Sequence, residues 1–424
     1  MNPTRLHALT RIAACWLGIG GIAWAASTGS NESTAEPLLP EAVTQAALPL
    51  QSLSTTTSDC NSFPCPVASS AVALGKALFS NPSLAPRSGL TCASCHSPQD
   101  AFGASHTMAQ RFRHLPRSIP AITNLRYQRW FFWDGRAERL WAQAIEPLEN
   151  PREMNSHRLI VVRQVVEQPA LSDLYRQTWA GDAGTLVTAR TTLAALPKCY
   201  EQIDCQALWD AMPAAQKAAV NRPFGQLLQA IESYELTLTT SPTRFDRYVH
   251  NVLVSGNLSA PDLTPKEREG MSLFFGQARC VTCHSGRAFS DGGFHNLFLP
   301  APPGRPREDA GRFAGIQRLK VWSTNSEAGL PSKVGNVSPY LELLSDSWGQ
   351  FKTPSLRNLG GRREFMHNGV FNSLNEVLRY YNRLDTSVVN HHHTNALLAP
   401  LNLNEDQLQA LEEFLKVISQ PIAE

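Results

Sequence analysis

The pattern Cys-x-x-Cys-His occurs twice in this chain, as Cys92-Ala93-Ser94-Cys95-His96 and as Cys280-Val281-Thr282-Cys283-His284. It is the attachment signature of c-type haem. Two thiols add to the vinyl groups of the macrocycle, and the His that follows is placed to bind the iron. A chain that does this twice must enclose two flat prosthetic groups, and these substitute for much of the side-chain core. A zinc ribbon also has two Cys-x-x-Cys pairs, but about 15–20 residues apart; here most of a domain lies between them. A thioredoxin-like motif would not need a His after each second Cys.

A length of 424 residues is enough for two domains, one per motif. The expected class is mainly α, with two cytochrome-c-like domains that each hold one covalently bound c-type haem. The boundaries read as a signal peptide over 1–26, a linker over 27–65, an N-terminal haem domain over 66–255 and a C-terminal haem domain over 256–424. The net charge of +2 gives no reason to expect nucleic-acid binding. Nine Trp and 18 Phe supply aromatic surface for enclosing porphyrins.

The N-terminus reads as an export signal. Arg5 and Arg11 give the positive region, Ile12 to Ala26 is apolar, and Ala23-Trp24-Ala25 is a small-x-small cleavage site. The apolar run is shorter than the ~20 residues of a membrane span; left uncleaved, it would act as an anchor. Bacterial haem attachment takes place outside the cytoplasm, so signal and motifs together predict the periplasm. In that oxidising compartment Cys60, Cys65, Cys199 and Cys205 have two near pairings, Cys60–Cys65 and Cys199–Cys205, with free thiols as the alternative.

Along the chain, 27–65 reads as a linker or loosely docked arm. Helices are expected over 68–79, 136–145 (broken at Pro147), 157–166 and 224–238, and 181–222 reads as an insertion. Thr264 with Glu267 forms a capping box for a helix over 265–275. Ser373 with Glu376 forms another, for a helix ending near Tyr381. Residues 290–350 are long and irregular, and 405–418 is a closing amphipathic helix.

Between the motifs stand Phe132-Trp133-Asp134-Gly135-Arg136-Ala137, then Gln143, Pro147 and Glu153. After the second come Lys352-Thr353-Pro354-Ser355-Leu356-Arg357-Asn358 and Met366-His367-Asn368-Gly369. Over roughly residues 66–420 the chain resembles the bacterial di-haem cytochrome c peroxidase family, which includes the MauG type. The resemblance implies two c-type haems, a peroxidatic N-terminal domain and an electron-transfer C-terminal domain. Cys92, Cys95, Cys280 and Cys283 would attach the haems, and His96 and His284 would be the proximal ligands. Trp133 would lie between the haems, and Gln143 and Glu153 would face the peroxide-binding side, with Pro147 beside them. A carboxylate within reach of bound peroxide can carry a proton from its near oxygen to its far one. The sixth position of the first haem is either open or capped reversibly by His106 or His114, and Met108 lies in the same loop.

In the cytochrome c peroxidases proper a Met binds the second iron; at that place this chain has Tyr381, as the MauG type does. A hard anionic phenolate favours Fe(III), where a thioether favours Fe(II). Met366 and His367 are alternative ligands. The family also carries an inter-domain calcium. At its ligand positions this chain has Ser118 and Arg362-Arg363-Glu364, which leaves calcium to backbone carbonyls. His391-His392-His393 reads as a surface loop.

The activity implied is that of an oxidoreductase of the cytochrome-c peroxidase type. It would reduce hydrogen peroxide at the first haem with electrons relayed through the second from a small cytochrome c or cupredoxin. One alternative is MauG-like oxidation of a protein side chain via high-valent haem. Another is a non-enzymatic electron-transfer cytochrome, which would not need Gln143 and Glu153.

Overall fold

A computed structural model describes residues 39–47, 68–100, 102–103, 108, 111–112, 115–199, 203–304, 308–321, 340–387 and 397–419. The signal region, Cys60, Cys65, His106, His114 and His391–His393 lie outside the described residues. Among the described residues the fold is helical, and its one sheet is a two-residue antiparallel pair, Phe294–His295 with Phe351–Lys352. No described helix is long and apolar enough to cross a membrane.

Two hydrophobic clusters organise the chain. The first gathers residues from Leu74 to Leu238. The second gathers Phe245 to Ile418 together with Leu39, Val43 and Ala46. Each is built on one close helix crossing. Ser69–Phe79 crosses Ala214–Glu235 at Gly75, where an added Cβ would stand 1.9 Å from the Ala230 carbonyl oxygen. Pro265–Phe275 crosses Glu405–Ser419 at Gly270, where a Cβ would stand 1.9 Å from the Ala410 carbonyl oxygen. Only glycine lets either pair of backbones approach so closely.

Between the helices of each crossing runs one copy of an internal repeat. Residues 118–147 and 352–381 follow one another at a constant offset. Asn124 and Asn358 both take positive φ (60° and 63°), as do Phe132 and Met366 (64° and 69°) and Gly135 and Gly369 (65° and 64°). The bridge Phe131–Ala137 has its counterpart in Phe365–Phe371. Helices then begin at Leu140 and at Leu374. By the same count Trp133 corresponds to His367, Ser118 to Lys352, and Pro147 to Tyr381.

Several expectations hold: Ser69–Phe79, Arg158–Glu167, Pro265–Phe275 with its Thr264/Glu267 box, Leu374–Arg383 and Glu405–Ser419 are all helices. Others need correction. Glu41–Ala46 of the expected linker is a helix, and Arg357 donates to the Ala46 carbonyl at 2.8 Å. The same guanidinium forms a fully buried ion pair with Asp246, also at 2.8 Å. The expected helix over 136–145 starts only at Leu140 and divides into Leu140–Gln143 and Ile145–Glu149. Pro147 sits inside the second piece, because first-turn N–H groups have no helical partner to lose. Residues 181–222, expected as an insertion, pack into the first cluster. They form helices Ala183–Ala194 and Cys205–Ala211 and the start of Ala214–Glu235, with Leu186, Leu193 and Val220 in the first cluster. Cys199 and Cys205 form a disulfide within this region, Cα atoms 4.9 Å apart. Arg244–Ser255, expected with the N-terminal half, places Phe245, Tyr248, Val249 and Val252 in the second cluster.

Candidate functional site

The first Cys-x-x-Cys-His motif forms a single helical turn, Cys92–Cys95, closed by a Thr91/Ser94 capping box. The turn presents both thiols on one side, and both are free. His96 follows as the C-cap, its Nδ1 3.2 Å from the Phe102 carbonyl oxygen. Burial lowers the imidazole pKa to about 4, the Phe102 carbonyl opposing and Arg362 adding to the shift. A neutral ring donating from Nδ1 leaves the Nε2 lone pair for a metal.

Glu153 stands near this motif. Burial, and next the Glu153 charge, push the Cys95 thiol up to about 11. Burial likewise raises the Glu153 carboxyl above its usual range, although Asn150 donates to it at 2.7 Å. Gln143 ends the Leu140–Gln143 helix, half-buried, and its side chain has no hydrogen bond to a described residue. Glu153 thus lies beside the first motif, and no hydrogen bond joins it to Gln143.

The second motif repeats the arrangement. Cys280 and Cys283 are free, and His284 Nδ1 lies 2.8 Å from the Phe289 carbonyl oxygen. Burial lowers the His284 pKa, that carbonyl opposing. The motif opens into a cavity of about 190 Å³, lined by Cys280, Cys283, His284, Trp133, His367 and Tyr381 among others. Burial, and then the neighbouring Cys280 and Cys283, raise the Tyr381 phenol far above its ordinary range. Such a phenol ionises when a metal draws off its proton. Met366 and His367 line the same cavity; His367 stacks on Phe351, ring centroids 3.4 Å apart.

Trp133 joins the two regions. It is 7% exposed, its Nε1 donates to the Ser118 carbonyl at 2.9 Å, and its own carbonyl accepts from the Lys352 amide at 2.7 Å. Its ring meets His367 edge-on at 6.5 Å. The loop that carries it is held by ion pairs. Asp134 is bound by Arg117 and Arg136, which overcome the effect of burial and keep its carboxyl low. Arg117 also reaches Asp309 at 2.7 Å, and Arg136 reaches Glu146 at 2.7 Å. Sequence reasoning missed the contributions of Arg117, Asp309 and Lys352. The internal repeat, which pairs Ser118 with Lys352, is the signal that points to Lys352.

A helical chain with two free-thiol Cys-x-x-Cys-His turns, each ending in a half-buried His whose pKa is lowered, fits an oxidoreductase carrying two c-type haems. A family model described as "Di-haem cytochrome c peroxidase" matches residues 69–252. The methylamine utilization protein MauG of Methylorubrum extorquens is 30% identical over 318 residues, covering 74% of this chain and 69% of that protein. The cytochrome-c peroxidase IdrP2 of Pseudomonas sp. strain SCT is 25% identical, covering 82% and 81%. The diheme peroxidase BthA from Burkholderia thailandensis shares the fold, with TM-score 0.59 at 20% identity over 84% of this chain and 87% of that one. The chain belongs to the di-haem cytochrome c peroxidase family, whose cofactors are two c-type haems. It is an oxidoreductase, and its relatives include both peroxidases and MauG proteins.

Proposed function

We propose that this chain is a periplasmic di-haem peroxidase that reacts with hydrogen peroxide at an open first haem and takes electrons through a capped second haem. The observation that carries this reading is the correspondence of Pro147 with Tyr381. The second-half helix offers a phenol oxygen to its cavity; the first half has, at the repeat-equivalent place, a side chain with no ligating atom. Tyr381 would then occupy a ligand position at the second site, while Pro147 would leave the first site able to take a small oxidant.

When bound, the haems supply the redox chemistry of O–O cleavage and hold the oxidising equivalents. The chain's own residues do the rest. Cys92, Cys95, Cys280 and Cys283 anchor the two groups. His96 and His284 would ligate from Nε2, their Nδ1 atoms held by the Phe102 and Phe289 carbonyls. Glu153 takes the proton from the near oxygen of peroxide and returns it to the far one, a task suited to a carboxyl whose pKa is raised toward neutrality. Gln143 offers an amide to the same face. Trp133, in the second cavity wall and tied to the first half through Ser118, is the route between the haems.

The electron donor under this reading is a small cytochrome c or cupredoxin. Tyr381 favours a second reading, in which the substrate is a protein side chain, as in the MauG type, because a phenolate-ligated iron resists pre-reduction. The test is addition of hydrogen peroxide to the holoprotein, oxidised and after one-electron reduction. A shift of the haem absorption within seconds in either state supports the proposal. Unchanged spectra in both would leave only an electron carrier.

A further inference from the structure

Arg362 is a half-buried cation with no anionic partner among the described residues. Burial alone lowers its pKa, to about 10, with no carboxylate opposing the shift. Among the described residues it makes no ion pair or side-chain hydrogen bond. It faces two ways. It lines the cavity of the second motif. It also packs on the first-motif loop, its Nε 3.7 Å from where a Cβ on Gly103 would stand, and its charge is felt at His96. The turn that delivers it, with Gly361 at φ +78°, lies against Gln99 and Asp100. Burying an unpaired guanidinium is costly. So is burying the two propionate carboxylates that each haem carries. The two costs cancel if they meet.

On the reading that the second cavity holds a haem, we propose that Arg362 is its carboxylate clamp and the shared positive charge between the two haem sites. Its fork suits a carboxylate, which it can bind through two parallel N–H groups. Ser118, the other position at which the family resemblance implies a calcium ligand, is already engaged, donating Oγ–H to the Met366 carbonyl at 2.8 Å. The charge at this junction is therefore built into the chain, and no calcium is needed to supply it.

The experiment is a redox titration of holoprotein carrying Arg362→Gln or Arg362→Lys, with haem content measured on the same samples. Removing a positive charge destabilises the more electron-rich reduced iron. Arg362→Gln lowers the midpoint potential of the second haem and shifts its propionate-bending resonance Raman band, with two haems per chain retained. Arg362→Lys lowers the potential less. Added calcium or a chelator leaves the wild-type potentials and spectra unchanged. An unmoved second-haem potential in Arg362→Gln overturns the clamp, as does a wild-type response to calcium removal. Where the Gln variant does not fold, the Lys variant decides by its Raman band: a shift supports the clamp and an unmoved band overturns it. A wild-type sample lacking haem would instead refute the haem-binding reading on which the proposal rests.

Discussion

The indole N–H of Trp133 donates to the carbonyl of Ser118 at 2.9 Å. Ser118 is itself bound to the second half, its amide donating to the His367 carbonyl at 2.8 Å. The ring that lines the second cavity is therefore fixed by a residue that belongs to the first half and grips the second. Trp133→Phe keeps a ring but leaves a Ser118 acceptor unpaired, a loss of about 1–3 kcal/mol. Chemical denaturation of the holoprotein is expected to show that loss. Peroxide is expected still to perturb the first haem of this variant while the response of the second slows.

Pro147→His puts a ligating nitrogen where the repeat places Tyr381 in the second half. The variant is expected to turn the first haem low-spin and to stop the spectral response to peroxide. A variant that stays high-spin at that haem would show that the two positions are not equivalent.

Glu153→Gln removes the proton carrier and retains the shape. General acid–base groups contribute about 10²–10⁴-fold, so the peroxide reaction is expected to slow by a factor in that range. Because burial raises the Glu153 pKa, and the carboxylate is the form that accepts the first proton, the wild-type rate should climb as pH rises through that raised value. The Gln variant should lack this limb of the profile.

Glu235 is 5% exposed, and its Oε2 has no hydrogen-bond partner among the described residues. Burial, and next Glu232, raise its pKa to about 8. In the unfolded chain it ionises near ~4.3. The folded state therefore favours the protonated form. That stability is complete below the unfolded value and is lost as pH rises through the folded one, by at most about 1.4 kcal/mol per pH unit. Urea denaturation between these pH values should show the decline. Glu235→Gln should flatten it and stabilise the protein at the alkaline end.

Tyr381→Met exchanges a hard oxygen for a thioether. The second haem's midpoint potential is expected to rise, on the order of 0.1 V, since axial ligands span about 0.8 V. A spectroelectrochemical titration checks this; an unchanged potential would return the ligand role to Met366 or His367.

Much of this was legible in the residues. The Cys-x-x-Cys-His turns are local, and the Thr264/Glu267 box marks its helix start because both partners lie within one turn. Features set by distant packing were not legible. Glu41–Ala46 is too short to show a period, and it is a helix because Val43 and Ala46 find the second cluster. Pro147 looked like a helix end, yet it stands in the first turn of a new helix. Gly75 and Gly270 read as ordinary helix interior until the carbonyls of Ala230 and Ala410 were found against them. Arg362 looked only like a lost calcium position. Its meeting with the Gly103 loop depends on a long-range fold that no local pattern encodes.

The central claim is an asymmetry between two haem sites built on one repeat, Pro147 leaving one iron open and Tyr381 closing the other. Electron paramagnetic resonance of the oxidised holoprotein, repeated after one-electron reduction, tests it directly. The account predicts a high-spin ferric signal from the first haem in at least one of these states, beside a low-spin signal from the second in the oxidised state. Low-spin signals alone in both states would contradict it.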